Sequence, residues 1–178
     1  MDKRKWVSIS MEDSIGDFQL SKKAKNKLKN KKRLQKELAL GKVPQEILEI
    51  PEDTMLKFYK AACHLFENRH YADAADAFLF LVSLNAHSHD YWIGLGMASQ
   101  MCGDFEMAID AYEIAAVYQI ENPIPYFYLA KCLFAMHEKQ SALQALEVAI
   151  EYAGNIPQYQ ELKAQAITAL ESLKKQVL

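Results

Sequence analysis

The sequence has no apolar run long enough to cross a membrane. Its longest, Ala77 to Val82, falls far short of the ~20 residues that a spanning helix needs. The N-terminus, MDKRKWVSISMEDS, carries basic residues with no apolar stretch behind them, so no secretory signal and no integral membrane association are expected. Cysteine is scarce: Cys63, Cys102 and Cys132 are the only three. Their wide spacing gives neither a disulfide framework nor a Cys-x-x-Cys metal site, and reduced thiols in a cytosol are expected. The five histidines, His64, His70, His87, His89 and His137, are scattered. His87 and His89 are placed in a loop, too few for a metal held by three protein ligands. No serine–histidine or cysteine–histidine arrangement is visible. No metal, cofactor or catalytic residue is expected, and an enzyme is the weakest functional class.

What remains is ordinary in bulk. The chain has 178 residues, 51% hydrophobic and 25% charged, which suits one or two small soluble domains with a real core. The charge is uneven. Residues 1–54 carry 13 Lys/Arg against 9 Asp/Glu, and the rest carry 8 against 14, giving +4 and −6 about a net charge of −2. A basic arm precedes an acidic body.

The stretch WIGLGMASQMCGDFEMAIDAY, Trp92 to Tyr112, contains a Gly-x-Gly. A dinucleotide fingerprint needs a strand before it and a third glycine three residues on, where Ser99 stands instead. Gly94 and Gly96 are therefore read as helical. Cys102 and Gly103 belong to an inter-helix turn, and Glu106 and Asp110 to a solvated stripe.

An internal repeat explains the stretch. Trp92 aligns with Tyr126, Leu95 with Leu129, Gly96 with Ala130, Ala108 with Ala142, Tyr112 with Leu146 and Ala115 with Ala149, each pair 34 residues apart. One period earlier stand Phe58, Ala61, Ala62, Ala74, Phe78 and Leu81. Tyr71 and Phe105 share a further position, with Gln140 near the third. The pattern resembles the tetratricopeptide repeat, whose period is 34. Small residues at Ala62, Gly96 and Ala130 let paired helices cross closely. Phe58, Trp92 and Tyr126 are expected to fill the space between them. Breaks near Asn68–His70, Gly103–Asp104 and Glu138–Lys139 join the helices of each pair, and Pro123 suits a first helical turn. The expected fold is all-α: three tetratricopeptide repeats over 55–88, 89–122 and 123–156, an α-solenoid with an N-terminal helical arm and a C-terminal capping helix.

In the flanks, residues 1–18 are expected to be mobile. SKKAKNKLKNKKRLQKELALG has nine Lys/Arg between Lys22 and Lys36 and predicts a helix over about 20–41, ending at Gly41. Such a run suits nucleic acid or a membrane surface. The favoured reading is a solvated arm, or a helix that pairs two copies of the chain, since acidic residues dominate the rest of the sequence. With no aromatics among the lysines, no nucleic-acid partner is expected. VPQEILEIPED, with Pro44 and Pro51, reads as an extended linker over 42–54. After Gly154 and Pro157, the series Tyr159, Leu162, Ala166, Leu170, Leu173 and Val177 gives one apolar face of a helix over 157–178, covering the last repeat.

The first helix of each pair should line the concave side of such a stack. Counting from Phe58, Trp92 and Tyr126, that side receives Leu56, Tyr59, Cys63 and Phe66; Asp90, Ile93, Met97 and Gln100; and Ile124, Phe127, Lys131 and Phe134. The set is aromatic and aliphatic with one lysine, and an exposed apolar face of that kind usually has a partner. The competing reading makes these residues core, covered by the N-terminal arm. Grooves that clamp acidic chaperone tails need several Lys and Asn, and only Lys131 could serve here. An extended apolar segment with prolines suits the face better.

The blocks FYKAACHLFENRHYADAADAFLFLVSLN, YWIGLGMASQMCGDFEMAIDAYEIAAVYQIENP, PYFYLAKCLF and PQYQELKAQAITALESLK resemble the class II chaperones of bacterial type III secretion, the SycD/LcrH group. The resemblance spans roughly Tyr59 to the C-terminus. It implies a chaperone of the bacterial cytoplasm that binds hydrophobic translocator proteins through an extended Pro-x-Leu-x-x-Pro segment. It carries groove positions onto Tyr59, Cys63, Phe66 and Tyr71. It also implies a possible homodimer through the N-terminal arm. The sequence departs from the group at Cys63 and Phe66, often tyrosines there, and at Arg69 and the His137–Lys139 turn, where glycine is usual. A generic repeat adaptor for a folded protein partner is the alternative.

Overall fold

Ser21 opens the described chain's first helix by accepting the Ala24 N–H on its hydroxyl at 3.0 Å. Helix α1, Lys22–Lys29, then runs only to Asn30. The computed structural model describes residues 19–177, so the mobile start expected over 1–18 lies outside the described residues. The single helix expected over 20–41 is two. Asn30 closes α1 and caps α2, Lys31–Ala39, its side chain accepting the Arg33 N–H at 3.1 Å. An asparagine that bonds its own neighbourhood this way competes with a continuous helical ladder. Gly41 follows the end of α2 at φ +82, a left-handed conformation that glycine adopts without strain.

The linker expected over 42–54 is a packed segment. Pro44 occupies the first turn of a short helix α3, Pro44–Ile47, and Ile47 is fully buried. Proline restrains the residue before it and not the helix after it, which is why the proline-based reading missed this turn. Buried Gln45 ties the segment down: its amide donates to Glu52 at 2.8 Å and its carbonyl accepts from Asn85 at 2.9 Å. The next helix consequently begins at Glu52, inside the expected linker.

From there the chain is built from helix pairs of tetratricopeptide type: α4 Glu52–Glu67 with α5 Tyr71–Leu84, α6 His89–Cys102 with α7 Phe105–Tyr118, and α8 Pro123–Ala135 with α9 Lys139–Ala153. A 3₁₀ turn, Pro157–Tyr159, leads into α10, Gln160–Val177. No strand occurs among the described residues. His89 is the buried first residue of α6 and not a loop residue. Asn122 caps α8 through the Ile124 N–H at 3.0 Å, with Pro123 at the first helical position.

The three inter-helix turns share one geometry. Arg69, Gly103 and His137 all have positive φ, at 63, 81 and 66°. In each turn that residue and the next donate back to the same pair of carbonyls: Phe66 and Leu65, Gln100 and Ser99, Phe134 and Leu133, at 2.9–3.1 Å. Only the middle turn has the glycine that this conformation favours.

The chain packs as two compact units, one ending at Tyr91 and one beginning at Trp92. In the first, Met55, Phe58, Ala61, Ala62 and Leu65 of α4 are buried, as are Ala74, Phe78, Leu81, Val82 and Leu84 of α5. The second has a core of Ala108, Tyr112, Phe127, Leu129, Ala130, Cys132, Leu133, Ala142, Leu146 and Ala149, closed by Ala166 and Leu173 of α10. Leu162 and Leu170 pack against it, and the expectation for Val177 lies outside the described side chains. Of the three large residues expected in the interior, Phe58 is buried, with Phe80 edge-on at 5.5 Å. Trp92 and Tyr126 are only half-buried. Tyr112 is the residue that fills the second unit's interior.

Candidate functional site

In the first unit Leu56, Tyr59, Cys63 and Phe66 lie along α4, Tyr71 opens α5 and Asp90 stands in the first turn of α6. Tyr59 and Cys63 are four apart on one face of the helix, and each influences the other's titration. Both are half-buried. Burial pushes Tyr59 up to about 12, aided by Cys63, and burial likewise raises Cys63. Tyr59 also meets the rings of Phe78 at 6.1 Å and Tyr91 at 5.7 Å. One turn on, Phe66 packs edge-on against Tyr71 at 5.3 Å. Three rings and one thiol thus form two adjoining pairs, Tyr59 with Cys63 and Phe66 with Tyr71, that keep part of their surface open. Leu56 and Asp90 are exposed. Tyr91, absent from the expected set, completes the Tyr59 cluster; it is a buried aromatic on the helix-start side of Trp92, and the repeat alignment favoured its neighbour.

In the second unit the expected set divides. Ile93 and Met97 are half-buried and pack against the core. Gln100 is engaged: its side-chain carbonyl accepts the hydroxyl of buried Tyr112 at 3.0 Å. Ile124 is half-buried at the start of α8. Phe127 corrects the expectation of an open groove residue. It is 4% exposed and belongs to the core to which α7, α8, α9 and α10 all contribute. Phe134 is 45% exposed. Lys131 lies between them, its ammonium 4.3 Å from the Phe127 ring centre and 5.0 Å from that of Tyr128, a cation–π arrangement. Burial lowers the Lys131 pKa from its usual value.

Phe127, Lys131 and Phe134 border a cavity of about 700 Å³ between α8, α9 and α10. Its other walls are Ala130, Leu146 and, from α10, Ala164, Gln165, Thr168, Ala169, Ser172 and Leu173. The volume falls within the ~300–1,000 Å³ typical of ligand-sized sites. Sequence reasoning missed the α10 wall because it followed the large residues of that helix. The available signal was the small-residue set Ala164, Ala169 and Ser172 on a neighbouring face.

The paired helices, shared turns and partly open aromatic rows define an all-helical repeat protein of tetratricopeptide type. No family model matches the chain. The low calcium response locus protein H of Yersinia pseudotuberculosis is 30% identical over 126 residues, covering 71% of this chain and 75% of that protein. The chain belongs to that family, the class II type III secretion chaperones. Among solved structures, a type III secretion complex from Aeromonas hydrophila matches with a TM-score of 0.78 at 25% identity, over 82% of this chain and 97% of that one. The Yersinia enterocolitica type III secretion chaperone SycD, solved in complex with a peptide of the translocator YopD, matches with a TM-score of 0.70 at 31% identity, over 73% of this chain and 99% of that one.

Proposed function

We propose that this chain is a bacterial cytoplasmic chaperone of type III secretion that holds an extended segment of a hydrophobic translocator protein. The role is one of binding: an apolar segment held by the chaperone is kept soluble and competent for secretion. One observation carries the reading. The Tyr59–Cys63 and Phe66–Tyr71 pairs leave aromatic surface open along α4, on a chain whose fold matches a chaperone solved with a translocator peptide. Ring faces and edges suit proline and leucine side chains presented by backbone that is already extended, which loses less entropy on binding. No helix among the described residues is long and apolar enough to cross a membrane, so the chaperone itself has no spanning segment there.

The arm supports a second contact. α2 buries none of its residues, and Leu38 within it and Leu40 just past its end are exposed. This surface is available to pair two copies of the chain.

Calorimetric titration with a Pro-x-Leu-x-x-Pro peptide, beside a peptide with the three anchors changed to alanine, tests the main reading. Saturable binding of the first alone, lost in Tyr59→Ala, is the expected result. Binding of neither peptide would move the chain to an adaptor for a folded partner.

A further inference from the structure

The cavity between α8 and α10 is more than the end of an aromatic row. It has room for several side chains, and its α10 wall alternates function along one face. Gln165, Thr168 and Ser172 recur at helical spacing, with Gln165 and Ser172 roughly 10 Å apart along the axis. Thr168 already donates its hydroxyl to the Ala164 carbonyl at 3.0 Å. Gln165 donates one amide hydrogen to Glu161 at 3.4 Å, which leaves its second to meet backbone groups of a bound chain. Opposite lies Lys131. Its ammonium rests on two ring faces, and no carboxylate is within ion-pair distance among the described residues. A partly desolvated cation beside an apolar cavity is complementary to an anion carried next to apolar bulk.

We infer that this cavity is a second recognition site, taking a short translocator segment that places bulky apolar side chains between α8 and α10 and a carboxylate at Lys131. The inference rests on the chaperone reading and adds to it a distinct partner chemistry. The segment for α4 is defined by prolines and leucine, and the segment for the α8–α10 cavity by an Asp or Glu flanking large apolar residues. Lys131 thereby sets sequence preference in the partner, and the ring stack that holds it keeps the charge at the cavity mouth.

The test uses the full chain carrying Tyr59→Ala, which removes the α4 contact. Random twelve-residue peptides displayed on phage are selected against it, and the recovered peptides are titrated. Selected peptides should carry Asp or Glu next to bulky apolar residues. Changing that acid to its amide should weaken binding about ten-fold, and Lys131→Gln should abolish the difference. Selection against Lys131→Glu should return Lys or Arg at the same place. Ala164→Trp, an exposed wall position, should block the selected peptide while leaving thermal unfolding unchanged. Recovery of no peptide, recovery of peptides without an acid, or indifference to both Lys131→Gln and Ala164→Trp overturns the inference. The Pro-x-Leu-x-x-Pro peptide titrated against the unaltered chain separates the two claims. Its binding with no acidic selection defeats only the second site, and its failure defeats the chaperone reading.

Discussion

The ring of Tyr112 occupies the space that a side chain on Gly96 would need. A Cβ built on Gly96 would stand 2.6 Å from Tyr112 Cε1, with two further ring atoms within 2.9 Å. Tyr112 is fully buried, stacked on Tyr128 at 5.8 Å, and anchored through its hydroxyl to Gln100. The glycine exists so that α7 can lay this ring flat against α6.

Gly96→Ala should therefore destabilise the protein despite the better helix propensity of alanine. That propensity is worth about 1 kcal/mol, whereas overpacking against an immobile ring costs about 1–3 kcal/mol. Denaturant unfolding should show a net loss. Gly96→Ala combined with Tyr112→Leu should recover part of it, and an unchanged midpoint in Gly96→Ala would mean that the α6–α7 approach is looser than described.

Phe127 and Phe134 should part company on truncation. Phe127→Ala empties a core position and should cost about 3–5 kcal/mol. Phe134→Ala removes a half-exposed ring and should change stability by less than about 1 kcal/mol. Thermal unfolding of the two variants decides this. Phe134 is consequently the cleaner position for a binding test.

The shared left-handed turns predict opposite signs at equivalent positions. Arg69 and His137 adopt a conformation that costs a non-glycine residue about 1–2 kcal/mol. Arg69→Gly and His137→Gly should each stabilise by up to about 1 kcal/mol after the added flexibility of the unfolded chain. Gly103→Ala should destabilise by about 1 kcal/mol. Three melting curves check all of these.

Glu49 should make the arm's attachment pH-dependent. Its carboxylate meets Lys23 and Lys27, each at 2.8 Å, while Lys27 also donates to the Ile47 carbonyl at 2.9 Å. The hydrogen bonds from Lys23 and Lys27 lower Glu49 from 4.5 to about 2. A depressed carboxylate pKa contributes stability above the unfolded value, and that contribution is lost as pH falls through the folded value. Amide protection in α1, measured relative to the intrinsic exchange rate at each pH, should fall between pH 4.5 and about 2. Glu49→Gln should show the lower protection already at neutral pH.

The three thiols should react in a fixed order. Cys102 is exposed, Cys63 is half-buried with a raised pKa, and Cys132 is fully buried and pushed up to about 11 by burial. Alkylation at pH 8, followed by mass spectrometry, should label Cys102 first, Cys63 more slowly and Cys132 last. A bound Pro-x-Leu-x-x-Pro peptide should protect Cys63 and leave Cys102 unaffected. Equal protection of both would place the peptide elsewhere.

Local and periodic information was enough for the helical pairs. The 34-residue spacing of Gly96 with Ala130 and of Ala108 with Ala142, the breaks before Tyr71 and Phe105, and Pro123 at a helix start are all statements about neighbours on one or two helices. Such statements follow from steric size and backbone preference, which the sequence carries directly. The tertiary structure decided what lies far apart in the chain. Lys27 finds Glu49 and Asn85 finds Gln45, contacts with no period to announce them. Gln100 is engaged because the buried Tyr112 hydroxyl needs an acceptor, and Phe127 sinks into the core of the second unit. The wall that α10 gives the Lys131 cavity was likewise hidden, since a pocket is made by small residues whose size signals nothing until another helix stands opposite.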